Sequence, residues 1–354
     1  MTTAADRSPE PTQSALQFAL GRLAAGIALN DAEAEAAFRE IVGGEAPAPL
    51  IGELLLALRA KGESAEEITG AVRALRATMR RVAHDRPDLL VDTCGTGGGA
   101  VTTINISTAA AFVAAGAGAS IAKHGNRSYS SRSGSADVLE ALGVAIELDP
   151  ERAARVLAQA QVVFLYAPSY HPAMRHVAPV RRALAVPTVM NLVGPLVNPA
   201  NVGRQVVGVA DPARAPAVAG AMVRLGVVHA LVVHADIGMD EISPVGFTSV
   251  WEIAAGRVRE WRFDPRAASM NLTSLAGLEG GEPHENAARI LDLLDRPASA
   301  AVALRSAVLL NAAAAIYVAG LAPTLATAVE AAVDSLESGR ARDRLEALRR
   351  ASTS

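Results

Sequence analysis

The sequence predicts an α/β protein in two parts. A small N-terminal all-helical domain precedes a larger domain built on a mostly parallel sheet with helices on both faces. Residues 16–81 carry helix-period apolar patterning and no strand signal. From residue 89 short β-type runs alternate with helical runs, the pattern that lays helices over a parallel sheet. Many of the 29 glycines fall at the ends of those β-type runs, where open α/β sheets form their sites.

Composition is consistent with this. The 354 residues are 51% apolar and 19% charged, enough for one large core or two smaller ones and too apolar for wholesale disorder. A net charge of -3 and 3% aromatic residues argue against a nucleic-acid coat or a base-stacking platform. The lone Cys94 makes neither an intramolecular disulfide nor a cysteine-rich metal site. The start of the chain has no apolar signal core, so a cytoplasmic location is expected. The apolar stretch 106–121 is short and holds Gly116 and Gly118, and 300–321 is broken by Arg305 and Asn311. Both read as buried helices, with no membrane partner.

In chain order, residues 1–14 read as a mobile tail and 15–85 as the helical domain. Asn30 and Glu33 have capping-box spacing ahead of a helix over 34–41, which Gly43-Gly44 ends. A very apolar helix covers 50–58. Ser64 and Glu67 cap the next one, with Ile68, Val72 and Leu75 at helical spacing. The α/β domain covers 86–354. Strands are expected at 89–92, 120–123, 162–166, 206–209 and 229–234, with helices at 108–117, 135–142, 150–159 and 213–225. Residues 248–253 and 258–263 flank Ala255-Gly256 as a hairpin, and 283–349 return to long helices.

Four segments carry chemistry. The first runs from Asp92 through Gly95, Thr96, Gly97, Gly98 and Gly99 to Thr103, Asn105, Ser107 and Thr108. Glycines let successive backbone N–H groups converge on an anion, and a helix start adds amide and hydroxyl donors. It is neither a P-loop nor a clean dinucleotide loop. A glycine cluster alone is an ordinary turn; Asn105-Ile-Ser107-Thr108 at the helix start favours phosphate. The second segment, Lys123 to Ser135, packs three cations, five serines and two glycines into thirteen residues. Solvated loops also look like this. Lys123 with the hydroxyls of Ser130, Ser131 and Ser135 suits a polyphosphate, and His124, Gly125, Asn126 and Arg127 adjoin it, with His124 and Asn126 suited to a planar ligand.

The third segment is His171 to Asn198. On a helix starting near Pro172, Met174, Val177 and Arg181 share a face. Arg181 could pair with an aromatic carboxylate or snorkel to water, and the pattern leaves the two even. In the fourth, Asp240-Glu241 ends a strand region. Such a pair suits a hard cation but is more often a solvated turn or a helix cap.

Together these residues resemble the anthranilate phosphoribosyltransferase family of tryptophan biosynthesis. Lys123-His-Gly-Asn-Arg127 and Ser133-Gly-Ser-Ala-Asp-Val-Leu-Glu-Ala-Leu-Gly143 carry the resemblance, with the glycine loop and Asn105-Ile-Ser-Thr108. It extends from about residue 16 to 320. Each motif alone is shared with the related pyrimidine nucleoside phosphorylases; the combination is specific. The resemblance implies transfer of phosphoribose from 5-phosphoribosyl diphosphate to the amine of anthranilate, with Mg2+ as cofactor. It implies Lys123 and Arg181 as catalytic residues and Ser107, Asp240 and Glu241 as metal contacts. Arg181 becomes the carboxylate-binding arginine, and Gly95, Asn126, His171, Gly194 and Pro195 line the anthranilate channel. It also implies a contribution of about 172–199 to the helical domain, and a homodimer through that domain.

Two positions depart from the family pattern. The glycine loop usually ends in Asp where this chain has Gly99, and an acid usually stands where it has Ile237. Asp236 is one position off and points the other way on an extended backbone. These losses leave two alternatives to the leading reading: a paralogue acting on another aminobenzoate, and a non-catalytic binding paralogue. A pyrimidine nucleoside phosphorylase is a weaker alternative, since it gives no reason for His171–Arg181.

Overall fold

The structure, a computed structural model, describes residues 14–128, 132–270 and 272–354. Of the expected tail over 1–14, residues 1–13 lie outside the described residues, as do the serines at 130 and 131, whereas Ser14 caps the first helix.

Four helices open the chain: α1 (Ala15–Ala24), α2 (Asp31–Gly43), α3 (Ala48–Lys61) and α4 (Ala65–Thr78). Capping boxes start three of them, Ser14 with Gln17, Asn30 with Glu33, and Ser64 with Glu67. Glu67 also has a second task. Fully buried, it accepts the Leu29 N–H at 3.0 Å and pairs with Lys61 at 2.9 Å, tying α4 to the loop before α2.

The sheet follows. Strand β1 (Leu90–Gly95) leads to α5 (Ile106–Gly116), β2 (Ser120–Gly125), α6 (Ser135–Ala141), α7 (Pro150–Ala160) and β3 (Val162–Tyr166). Helices α8 (Ala167–Tyr170), α9 (Met174–Leu184) and α10 (Val189–Val193) intervene before β4 (Arg204–Gly208), α11 (Ala215–Arg224) and β5 (His229–Ala235). The antiparallel hairpin β6 (Thr248–Ala254) and β7 (Arg257–Phe263) turns at Ala255 and Gly256, both at positive φ. Helices α12 (Pro283–Asp295), α13 (Val302–Val318), α14 (Leu325–Glu337) and α15 (Arg340–Thr353) close the chain.

The strand order is β3-β2-β1-β4-β5-β6-β7, parallel from β3 to β5. The chain leaves β1 toward β2 and β3, then returns to β4 on its other side. The switch point therefore lies beside β1, where open sheets place their ligands.

The central strands are buried on both faces, which is why they read as continuous apolar runs. On β5, Leu231, Val233 and Ala235 join one core with α5 and α13. Ala230 and Val232 join the other. That second core also takes Leu54 and Leu58 of α3, Val72 of α4, Val177 and Val180 of α9, and Met222 of α11. The opening helices and one face of the sheet thus share a continuous core, and α9 and α10 pack with them. Ion pairs of Arg214 with Glu63 and Arg224 with Glu66 seal its edge.

Candidate active site

At the sheet's C-terminal edge, the end of β4 and the 240 turn approach closely enough that only glycine fits at 208. A Cβ on Gly208, at the end of β4, would lie 1.7 Å from the Asp240 carbonyl oxygen. A Cβ on Gly99 would lie 2.7 Å from Asp240 Oδ1, and one on Gly95 3.4 Å from Oδ2. The glycine loop and the 240 turn are therefore one surface, stitched by Ala100 N–H to the Gly238 carbonyl at 3.0 Å. Gly97 and Gly98 take left-handed φ of 67° and 84° at the tip. Thr96 is spent on the scaffold: its N–H donates to Gly208 O at 2.8 Å and its hydroxyl accepts from Ala210 N–H at 3.1 Å.

Lys123 projects from β2 into this surface and is buried at 4% exposure. Its Nζ donates to the Thr93 carbonyl and, at 3.1 Å, to Ser107 Oγ. The Ser107 backbone amide lies near the Glu241 carboxylate and favours its charged form. Burial and the neighbouring Asp240 push Glu241 up to about 8, against the pull of Lys123. Burial likewise raises Asp240. The expected metal contacts Ser107, Asp240 and Glu241 thus sit with Lys123 in one group. Two adjacent, electrostatically strained carboxylates fit a hard divalent cation. Among the described residues no three His, Cys, Asp or Glu side chains form a metal cage, so hydroxyl, phosphate and water oxygens would complete its shell.

The second wall is made by histidines. His124, the next residue on β2, meets His171 with Nε2 atoms 3.3 Å apart. Burial lowers His124 to about 3 and His171 to about 4, so both are neutral near pH 7 and one ring donates to the other. The Gly194 carbonyl lies against His124, and Pro195 is buried beside it in sequence. Cys94 packs its sulfur 4.0 Å from the Pro195 carbonyl, and burial raises its thiol well above the ordinary value. That favours the inert thiol over a nucleophile. Arg181 lies on α9, half-buried, on the side of the fold that packs with the opening helices.

Several expected donors have other tasks. Thr108 is buried, and its hydroxyl has no partner among the described residues. Arg127 gives its guanidinium to Asp137 at 2.9 Å and to Glu140, and lies over the Tyr166 ring. Asn126 is exposed and accepts the Arg127 N–H at 2.7 Å, while Ser135 donates to the Asn126 carbonyl at 3.3 Å beside Gly125. Thr103 pairs with Glu279, and Asn105 donates to the Ser133 carbonyl at 3.1 Å. Asp236 lies in a turn rather than on extended backbone and pairs with Arg262, and Ile237 packs on the core.

Sequence reasoning gave no role to Asp92 or Asn198. Asp92 is fully buried, accepting the His124 N–H at 3.0 Å and Asn198 Nδ2 at 2.8 Å. Asn198 also donates to the Ala122 carbonyl at 2.7 Å. Together they lock the end of the 172–199 stretch to β1 and β2. An acid inside an apolar strand run was the one available signal.

The chain matches two family models, the glycosyl transferase family a/b domain over residues 87–342 and the helical bundle domain of that family over 18–79. Anthranilate phosphoribosyltransferase of Rubrobacter xylanophilus is 50% identical over 94% of this chain and 96% of its own length. That of Bradyrhizobium sp. strain BTAi1 is 46% identical over 94% and 97%. The chain belongs to the anthranilate phosphoribosyltransferase family. Anthranilate phosphoribosyltransferase from Thermus thermophilus shares its fold at a TM-score of 0.88 and 41% identity, covering 95% of this chain and 99% of that one. The yeast anthranilate phosphoribosyltransferase, solved in complex with PRPP and Mg, gives 0.87 at 26% identity over 97% and 99%. The chain is accordingly a transferase of the pentosyl type.

Proposed function

We propose that this protein transfers the phosphoribosyl group of 5-phosphoribosyl diphosphate to the amine of anthranilate in tryptophan biosynthesis. The products are N-(5-phosphoribosyl)anthranilate and pyrophosphate. The observation that carries this reading is the convergence of Lys123, Ser107, Asp240 and Glu241 under the glycine loop, with the His124–His171 wall next to it.

The C1–O bond of the donor breaks while the amine lone pair forms the C1–N bond. Pyrophosphate leaves, and the amine sheds one proton. Anthranilate's amine is already neutral at pH 7, so the barrier lies in the leaving group. Lys123 and the loop amides face the charge that develops on the departing oxygen. Asp240, Glu241 and Ser107 would hold Mg2+, which supplies charge neutralisation for the diphosphate. Arg181 would take the acceptor's carboxylate, and Asn126 with the histidine wall would orient its amine toward C1. The apolar Pro195 and Gly194 side matches a small aromatic ring.

Gly99 and Ile237 leave Lys123, Ser107, Asp240 and Glu241 in place, which favours turnover over a binding-only role. Phe18, Ile27 and Leu56 are exposed at 42%, 46% and 42% on the opening helices and their loop, which supports a homodimer through that region. The test is pyrophosphate release with donor and Mg2+, with and without anthranilate. Anthranilate-dependent release supports the reading. Release only with another aminobenzoate moves the acceptor, and donor binding without release with any acceptor overturns the reading.

A further inference from the structure

The glycine loop is held from behind by a segment that lies far along the chain. The Ile104 N–H donates to the Leu278 carbonyl at 3.0 Å, and Thr103 pairs with Glu279. A Cβ on Gly280 would lie 2.5 Å from the Thr103 carbonyl oxygen, so glycine allows this approach. Helix α12 follows, and Asn286 in its first turns is 1% exposed.

Asn286 belongs to a chain of amides whose direction can be worked out. The Gly281 N–H, able only to donate, gives its hydrogen to Asn286 Oδ1 at 2.9 Å. Asn286 must therefore present Nδ2 to Asn105, and it donates to Asn105 Oδ1 at 3.0 Å. Asn105 must then turn its own Nδ2 the other way, where it donates to the Ser133 carbonyl at 3.1 Å. A backbone donor at one end and a backbone acceptor at the other fix both amides in one orientation. Asn105 precedes α5 and makes no side-chain cap bond there. Its side chain is spent joining the loop before Ser107 to the segment that follows Asn126.

We propose that Asn286 is a positioning residue for the phosphoribosyl donor: through Asn105 it sets the glycine loop and Ser107 against Ser133 and the start of α6. This rests on the donor site described under Proposed function. Asn286 touches neither substrate in this account. Its contribution is the polarity of the link, so a change of one atom disrupts it.

Asn286→Asp keeps the shape and the acceptor for Gly281, but sets oxygen against Asn105 Oδ1. If Asn105 flips to donate, its oxygen then faces the Ser133 carbonyl, and the link fails at that end. The KM for 5-phosphoribosyl diphosphate should rise on the order of tenfold, with the anthranilate KM within about twofold of wild type. Asn286→Ala should act in the same direction. Unchanged donor KM in both variants, equal rises in both KM values, or failure of both variants to fold would overturn the proposal. Calorimetric titration of each protein with donor and Mg2+ separates this from the functional reading. Wild-type binding without turnover sinks the reading alone, and weaker binding by Asn286→Asp still supports the positioning role.

Discussion

The two walls of the site are held in different ways. The donor wall is built from backbone. Gly95 and Gly208 let the glycine loop and the end of β4 close on the 240 turn, and Lys123 is fixed by the Thr93 carbonyl. The acceptor wall is built from side chains at a seam. His124 meets His171, and Asp92 meets Asn198, each pair joining the sheet to the 172–199 stretch. At Gly208 the backbone-built wall tolerates no other residue, because a Cβ there would collide with the Asp240 carbonyl. A wall of side chains can change its ligand by changing one residue. In the reading proposed above, the diphosphate would lie on the first wall and the aromatic acid on the second.

The sharpest test of this contrast is Lys123→Ala. It removes a buried amine that the proposed reading sets against the leaving group, and kcat should fall about 100- to 1000-fold, whereas Cys94→Ala should change it by less than about threefold. Comparable losses in steady-state assays would erase the distinction between the reactive group and its packing.

Arg181→Ala tests the proposed carboxylate contact. It should raise the anthranilate KM on the order of tenfold and leave the donor KM in place. A donor KM that moves equally would show the two walls to be coupled rather than separate.

The histidine pair gives the acceptor wall a pH signature. Both rings titrate well below the ordinary 6.5, at about 3 and about 4. As pH falls from about 6.5 to about 4, the unfolded chain takes up protons that the folded chain refuses, so stability falls, by up to about 1.4 kcal/mol per pH unit for each histidine. His171→Phe should flatten this acid limb in denaturation curves recorded across the window. An unaltered slope would assign the acid sensitivity to other groups.

The smallest effect is expected from Gly99→Asp. The new Cβ would press on Asp240, 2.7 Å from Oδ1 in the present arrangement, and add a third carboxylate nearby. The midpoint of a Mg2+ titration of activity should shift by about two- to fivefold. A superimposable titration would make the departure at this position silent.

Much of this was legible from local chemistry. Capping boxes at Asn30 and Ser64 marked their helices because the N-cap and N3 residues satisfy each other's backbone within one turn. The strands appeared as apolar runs because both sheet faces are covered, and the hairpin turned where Ala255-Gly256 placed it. Lys123 stood out from the composition of its own segment, whereas Ser107, Asp240 and Glu241 were named as metal contacts by the family resemblance.

What the sequence could not determine was how each polar group is used. Arg127 and Asn105 read as ligands in a Ser-rich, Gly-rich stretch, yet one is given to Asp137 and Glu140 and the other to Ser133 and Asn286. Asp92 and Asn198, 106 residues apart, had no pattern to link them, nor had Asn105 and Asn286, 181 apart. Periodicity and capping act over a few residues, so sequence alone determined the elements and the identity of the chemistry. A buried polar group is satisfied by whatever folding brings beside it, so only the tertiary structure decided which residues face the ligand and which hold the others in place.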